Sequence, residues 1–172
     1  SKLVCFVVFT TLILFETQSL TLLDVNPIIP FLIKFLATLY CSSLWNSGIY
    51  SFKSGQTLDN QSSSAEVTLD VTQEGVIEFW YRVSAEYSSS GNYFYDGLEF
   101  YINDQLQAQY QTEVDGTSPW KFASFPVFVG ETTFTWNYVK DGGGGSTDCI
   151  TTDCLDAAFI DDIVFPPVYM ES

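Results

Sequence analysis

Two adjacent carboxylates, Asp161 and Asp162, lie inside the apolar run CLDAAFIDDIVFPP, Cys154 to Pro167. Such a run reads as a strand, and side chains in a strand alternate between faces. One acid would therefore share a face with Phe159, Ile163 and Phe165, and the other with Ala158, Ile160 and Val164. Burying an unpaired carboxylate costs several kcal/mol, so a cation, a set of backbone donors or water at the strand end must balance at least one of them. A second acidic pair, Glu113 and Asp115 in TEVDGTSPW, falls on one face of an extended segment. Two carboxyls about 5 Å apart are what a retaining glycosidase uses as nucleophile and acid/base. Aromatic residues form a third group: Tyr87, Tyr93, Phe94, Tyr95 and Trp120 stand in or beside loops, where exposed rings can stack on sugar faces.

Composition removes much other chemistry. The chain has no histidine, so Ser-His-Asp, Cys-His and His-metal catalysis are excluded. Its 21 acidic residues against 6 basic ones give a net charge of -15, a field that repels nucleic acid and anionic membrane surfaces and attracts divalent cations. With 172 residues, 47% hydrophobic and 17% aromatic, the chain is suited to one domain with a sizeable core.

The elements that must position these residues are strands. From residue 49 onward the apolar period is two, broken by Gly, Ser, Asn and Asp. Strands are predicted over Ile49 to Lys53, Ala65 to Val71, Gly75 to Ser84, Gly97 to Ile102, Leu106 to Gln111, Trp120 to Val127, Thr132 to Val139 and Ala158 to Phe165. Their inward sets are Val67, Leu69 and Val71; Ile77, Phe79, Tyr81 and Val83; Leu98, Phe100 and Ile102; and Phe134, Trp136 and Tyr138. Trp80 falls on the face opposite Phe79, in a second buried layer or on an exposed platform. QEG at 73 to 75 and NDQ at 103 to 105 read as hairpin turns. Strands without intervening helices predict an all-β, two-sheet antiparallel β-sandwich of jelly-roll type. Two long loops remain, Ser84 to Asp96, rich in serine and aromatic residues, and Lys140 to Asp153, which combines glycines with acids. Loops of such length in a compact sandwich are often functional.

Lys2 followed by Leu3 to Phe15 resembles the start of a secretory signal, with residues 1–19 as the segment removed; a buried strand is the competing reading. That run is too short to span a bilayer, and Ile28 to Cys41 is interrupted by Pro30 and Lys34, so no membrane insertion is expected of the mature domain. The four cysteines, Cys5, Cys41, Cys149 and Cys154, are wrongly spaced for zinc. Cys149 and Cys154 are close enough in sequence to close a small loop by a disulfide in an exported protein.

The segments SGIYSFKSG, DNQSSS, GVIEFWYRVSAE, DGLEFYIND, FPVFVGETTFTWNYVKDGG and AFIDDIVFP follow one another in an order that resembles the MAM-like, concanavalin-type jelly-roll module of secreted bacterial proteins. It is similar also to adhesin domains of bacterial cell-surface proteases and haemagglutinins. The resemblance covers residues 49–167 of a domain taken as 15–168. It implies an extracellular, non-catalytic module for adhesion or ligand binding within a larger surface protein, alongside neighbouring domains. In such modules a Phe-Glu pair opens the first strand, and its acid meets an Asp of the last strand around structural calcium. LFETQ supplies Phe15 and Glu16, so the resemblance implies a Ca2+ site at Glu16, Asp161 and Asp162. The chain departs from the family pattern between Glu16 and Trp45, where it reads VNPIIPFLIKFLATLYC, and a cut after Ser19 would remove Glu16. Calcium takes roughly six to eight oxygens in irregular geometry, which carboxylates and carbonyls supply. Asp141, Asp148, Asp153 and Asp156 offer a second site, against the simpler reading of a solvated acidic loop.

The partner expected is a glycan or a surface protein. A carbohydrate-binding module using Tyr87, Tyr93, Phe94, Tyr95 and Trp120 is the alternative function. A glycosidase ranks below it, since the third acid of the laminarinase-type pattern is replaced by Thr117 and Ser118.

Overall fold

The structure is a computed structural model that describes residues 33–35, 40–42, 46–47, 51–55, 57–86, 93–112, 118–142 and 155–169, the first two segments as backbone. Its elements are β1 (Ile33–Phe35), β2 (Tyr40–Ser42), β3 (Ser51–Lys53), β4 (Ser62–Val71), β5 (Gly75–Ser84), β6 (Gly97–Ile102), β7 (Gln105–Gln111), β8 (Lys121–Val127), β9 (Gly130–Val139) and β10 (Ala157–Val164). They form two five-stranded antiparallel sheets, β1-β4-β9-β6-β7 and β2-β3-β10-β5-β8.

The winding is nested. The β6–β7 hairpin is innermost in sequence, and outward from it β5 pairs with β8, β4 with β9, and β3 with β10. Successive shells alternate between the two sheets, which gives the jelly-roll sandwich. Asn103 and Asp104, at φ 49° and 60°, make the tight turn of the innermost hairpin, where short polar side chains tolerate left-handed backbone. β1 and β2 extend the two sheets from a stretch whose sequence shows little alternation.

The alternating residues predicted to face inward do so. Val67, Val71, Ile77, Phe79, Tyr81, Val83, Leu98, Phe100, Phe134, Trp136 and Tyr138 are buried, with Leu69 and Ile102 packed against them at the margin. Phe79 of one sheet meets Phe100 and Trp136 of the other at 4.8 and 5.6 Å between ring centroids, and Phe125 closes the group at 5.0 Å from Phe100. Tilted and edge-on contacts of this kind add to the hydrophobic stabilisation.

The pattern breaks in β10. Regular alternation would place Ile163 and Phe165 on the face of Phe159. The register instead shifts between Asp161 and Val164, with Asp162 in left-handed conformation at φ 49°. This bulge returns Ile163 and Phe165 to the core alongside Ala158 and Ile160 and leaves Val164 exposed.

Gly97 marks a different constraint. A Cβ there would collide with the carbonyl oxygen of Tyr110 and the ring of Phe94. Denaturant unfolding of Gly97→Ala should therefore show a loss of roughly 1–3 kcal/mol from overpacking. Phe79→Ala should lose roughly 3–5 kcal/mol through the cavity left between the sheets.

Candidate functional site

The strands converge on two poles of the sandwich, and the one formed by the ends of β5, β7 and β9 and the starts of β6, β8 and β10 carries most of the chemistry. Three segments meet there: the residues after β5, those before β6 and those after β9. Glu86, Asp96 and Asp141, one from each, bring carboxylate oxygens within 4.8 Å of one another. The backbone N–H of Asp141 donates to Asp96 Oδ1 at 3.0 Å, tying the β9 exit to the β6 entry. Asn60, at φ 59°, donates its N–H to the Asp141 carbonyl at 2.8 Å, and Lys140 N–H donates to the Gln61 carbonyl at 3.0 Å.

Lys140 sits beside this cluster. Its ammonium is 2.6 Å from Asp156 Oδ2 and 3.8 Å from both Asp59 and Asp96. Burial alone would lower its pKa, but Asp156, Asp96 and Asp59 outweigh it and hold the ammonium above its ordinary value. Tyr138 donates to Asp156 Oδ1 at 2.9 Å, and burial, together with Asp156, pushes its phenol up. Asp96 is only 4% exposed, and burial moves its carboxyl from 3.8 to about 6. The Asp141 N–H and Lys140 pull it down, while Asp156 and Glu86 push it further up.

The aromatic loop leads into this cluster. Tyr93 is 65% exposed and stacks on Tyr95 at 6.2 Å and 21°, immediately before Asp96, while Phe94 turns inward over Gly97. Trp120 is half-buried and meets Phe159 edge-on at 6.5 Å. Trp80 lies on the outer face of its sheet, half-buried against Phe122 at 5.6 Å. Tyr93, Tyr95 and Asp96 are thus grouped, and Trp120 stands at the adjoining end of β8.

Asp161 and Asp162 are elsewhere. Asp161 Oδ2 accepts the N–H groups of Asn46 and Ser47 at 2.8 and 3.2 Å, and its Oδ1 accepts the N–H of Asp162 at 2.9 Å. Backbone donors therefore balance the buried charge. Asp162 points to solvent and accepts from the Ser47 hydroxyl at 2.6 Å and the Asn46 amide at 3.2 Å. The bulge splits the pair between these two environments. Glu16, Tyr87, Glu113, Asp115, Asp148, Cys149, Asp153 and Cys154 lie outside the described residues.

The outer face of the other sheet is polar and internally satisfied. Glu99 accepts from Tyr101, Gln109 and Asn137 at 2.6, 2.9 and 3.3 Å, and Ser64 donates to Asn137 at 2.6 Å. The hydrogen bond to Glu99, with burial, pushes the Tyr101 phenol up to about 12.

No protein-family model matches the chain, and no curated protein matches it. Solved structures do. A secreted serine protease, VesC from Vibrio cholerae, is similar with a TM-score of 0.50 and 16% identity over 74% of this chain and 23% of that one. This chain thus spans about a quarter of the protease's length. The likeness is one of fold. A family 35 carbohydrate-binding module from Cellvibrio japonicus Abf62 aligns over 84% of this chain and 96% of its own, with a TM-score of 0.39 and 11% identity. Another such module, from Clostridium thermocellum, aligns over 75% and 95%, with 0.37 and 11%. Among the described residues no helix is long and apolar enough to cross a membrane.

Sequence reasoning singled out Asp141 but passed over Glu86 and Asp96 as its partners. The available signal was positional, since Glu86 and Asp96 fall near the two ends of the long aromatic loop and Asp141 opens the glycine loop. Asp96 also carries a pH signature. In the unfolded chain its carboxyl releases its proton near 3.8, while the folded chain keeps it up to about 6, so stability falls as pH rises through that window. Thermal unfolding in chelator between pH 4 and pH 6 should show the wild type losing stability relative to Asp96→Asn, whose position no longer titrates. At pH 7, Asp161→Ala should lose roughly 2–3 kcal/mol in denaturant unfolding, since the backbone donors it satisfies are left behind.

Proposed function

We propose that the chain is a non-catalytic, extracellular recognition module that binds a glycan at its acidic, aromatic pole, with calcium held by Glu86, Asp96 and Asp141. The observation that carries this reading is the stacked ring pair of exposed Tyr93 and half-buried Tyr95 running directly into the buried carboxylate of Asp96. Rings supply a stacking surface for a sugar, and neighbouring carboxylates and backbone groups supply hydrogen-bonding partners for its hydroxyls. A hard divalent cation suits the three converging carboxylates and offsets the cost of ionising Asp96. It would tie together the segments that follow β5 and β9 and precede β6, and so fix the loop that presents the rings.

On this reading residues 15–168 form one domain of a larger secreted or surface protein, of the MAM-like adhesin type, and Cys149 and Cys154 close a loop beside the pole. Calcium at Glu16, Asp161 and Asp162 is the second candidate clamp. Adhesion to a surface protein is the second function. The stacked rings, with Tyr93 exposed, favour the glycan, because a flat sugar face needs a ring platform beside its hydrogen-bonding partners.

Two measurements test the reading. Thermal midpoints at pH 7 in millimolar calcium should exceed those in chelator, and Asp96→Asn should remove most of the difference; equal midpoints for the wild type would sink the metal clamp. Screening the purified chain on a glycan array should find a ligand whose affinity drops roughly tenfold or more in the Tyr93→Ala, Tyr95→Ala double variant. An array without a hit, or a hit indifferent to both rings, would count against glycan recognition at this pole.

A further inference from the structure

The two outer faces of the sandwich differ in kind. Glu99, Asn137, Ser64 and their partners make one of them polar and internally hydrogen-bonded. The other, on the β2-β3-β10-β5-β8 sheet, carries an apolar strip along β5 and its edge neighbour β8. Val76 is 43% exposed and Phe122 51%, Pro126 is exposed beside Val76, and Trp80 is half-buried against Phe122. Contiguous apolar surface of this kind marks a contact with another molecule.

The charges on the same strand say which molecule. Alternation puts Val76, Glu78, Trp80 and Arg82 of β5 on this face, so an acid and a base stand two residues either side of Trp80. At about 3.3 Å per residue they are roughly 13 Å apart along the strand, with the indole between them. Neither forms an ion pair among the described residues. A two-fold axis lying in the contact plane and crossing β5 at Trp80 turns this pattern onto itself. It lays β5 antiparallel over β5 of a second copy, with Glu78 over the second copy's Arg82 and Arg82 over its Glu78. Phe122, level with Trp80 in the register, meets its own counterpart in the same layer. Self-complementarity of this kind is what an isologous contact requires, whereas parallel stacking would set like charges on each other.

The remaining charge agrees. Lys53 and Arg82, on either side of the buried ring of Phe159, offset all but one of the carboxylates of Glu78, Asp161 and Asp162. This face is therefore close to neutral in a chain of net charge -15, and two copies can approach here at less electrostatic cost than at the acidic pole. Asn46 and Ser47, bonded over Asp161 and Asp162, wall the face on the β10 side and leave β5 and β8 as its open part.

We propose that this face is the contact between two copies of the chain, stacked through Trp80 and Phe122 with Glu78 and Arg82 paired across a two-fold axis. Sedimentation velocity of the full chain should show a monomer–dimer equilibrium with a dissociation constant of roughly 10–100 μM. The dimer should strengthen between about 0.05 and 0.5 M salt, since screening relieves the repulsion of two acidic chains more than it weakens partly buried pairs. Glu78→Arg and Arg82→Glu should each weaken it at least roughly tenfold by setting like charges opposite each other. Mixed together, the two variants should associate with each other as the wild type does with itself, and both exchanges in one chain should restore the dimer. That rescue separates a lost contact from a lost fold. Phe122→Ser, at an exposed position, leaves the core untouched and should weaken the dimer to a similar extent. The Tyr93→Ala, Tyr95→Ala variant should dimerise like the wild type, so this contact and the glycan pole stand or fall separately. A chain monomeric throughout that concentration range, or a dimer indifferent to Phe122→Ser or to either charge exchange, would overturn the proposal. A monomer that floats with phosphatidylcholine vesicles through Phe122 would overturn it by giving the face to lipid.

Discussion

The contact of Phe79 with Phe100 and Trp136 joins one sheet to the other, and the geometry of the acidic pole follows from it. Each strand of a sandwich must hide one apolar face, and these rings, with Phe125 and Phe134, fill the space between the layers. Once the layers are locked, strand ends are fixed to within a side chain's reach at each pole. Residues as far apart in sequence as Glu86 and Asp141 can then share one site. The nested pairing makes the same point about the outer face, since Lys53, Phe159 and Arg82 align only because β10 runs between β3 and β5.

Charge is distributed over this frame with clear local logic. A chain of net charge -15 must keep its carboxylates hydrated, paired or bound to donors. Asp161 is bound by backbone N–H groups, Asp156 by Lys140 and Tyr138, and Glu99 by a tyrosine and two amides. Among the described residues Asp96 is the acid whose surroundings raise its pKa most, because burial outweighs one backbone donor and the Lys140 ammonium 3.8 Å away. A buried carboxylate that resists ionisation beside two others is where a divalent cation gains most, and this links the pole's stability to its loops.

The bulge in β10 shows how one local feature resolves a conflict in sequence. An unbroken strand would have had to bury Ile163 and Phe165 on the face opposite Ile160, or leave them in water. Asp162, in left-handed backbone, absorbs the extra residue and sends its own carboxylate to solvent. Its neighbour stays inside, where the segment at Asn46 and Ser47 supplies donors from 114 and 115 residues away in sequence. The same pair of acids therefore has one member held inside by backbone donors and one at the surface, forming the bulge and bonded to Ser47 and Asn46.

The sequence alone determined the fold class, the strand order along the chain and most of the core. Alternation is a local property, and Ile77, Phe79, Tyr81 and Val83, or Phe134, Trp136 and Tyr138, declare their face without reference to any partner. Strand ends were legible to within three residues, and the Asn103-Asp104 turn from its residue types. The short strands β1 and β2 were not, because three residues in an apolar stretch show no period. The candidate site was only half visible. Its loops stood out by length and composition, and Tyr93, Tyr95 and Asp141 by chemistry. That Asp141 meets Glu86 and Asp96, that Asp161 is held by backbone donors, and that Lys53 and Arg82 flank one ring were decided by tertiary structure. Each depends on which strands become neighbours, and pairing between distant segments is set by the packing of the two sheets as a whole, which no local pattern encodes.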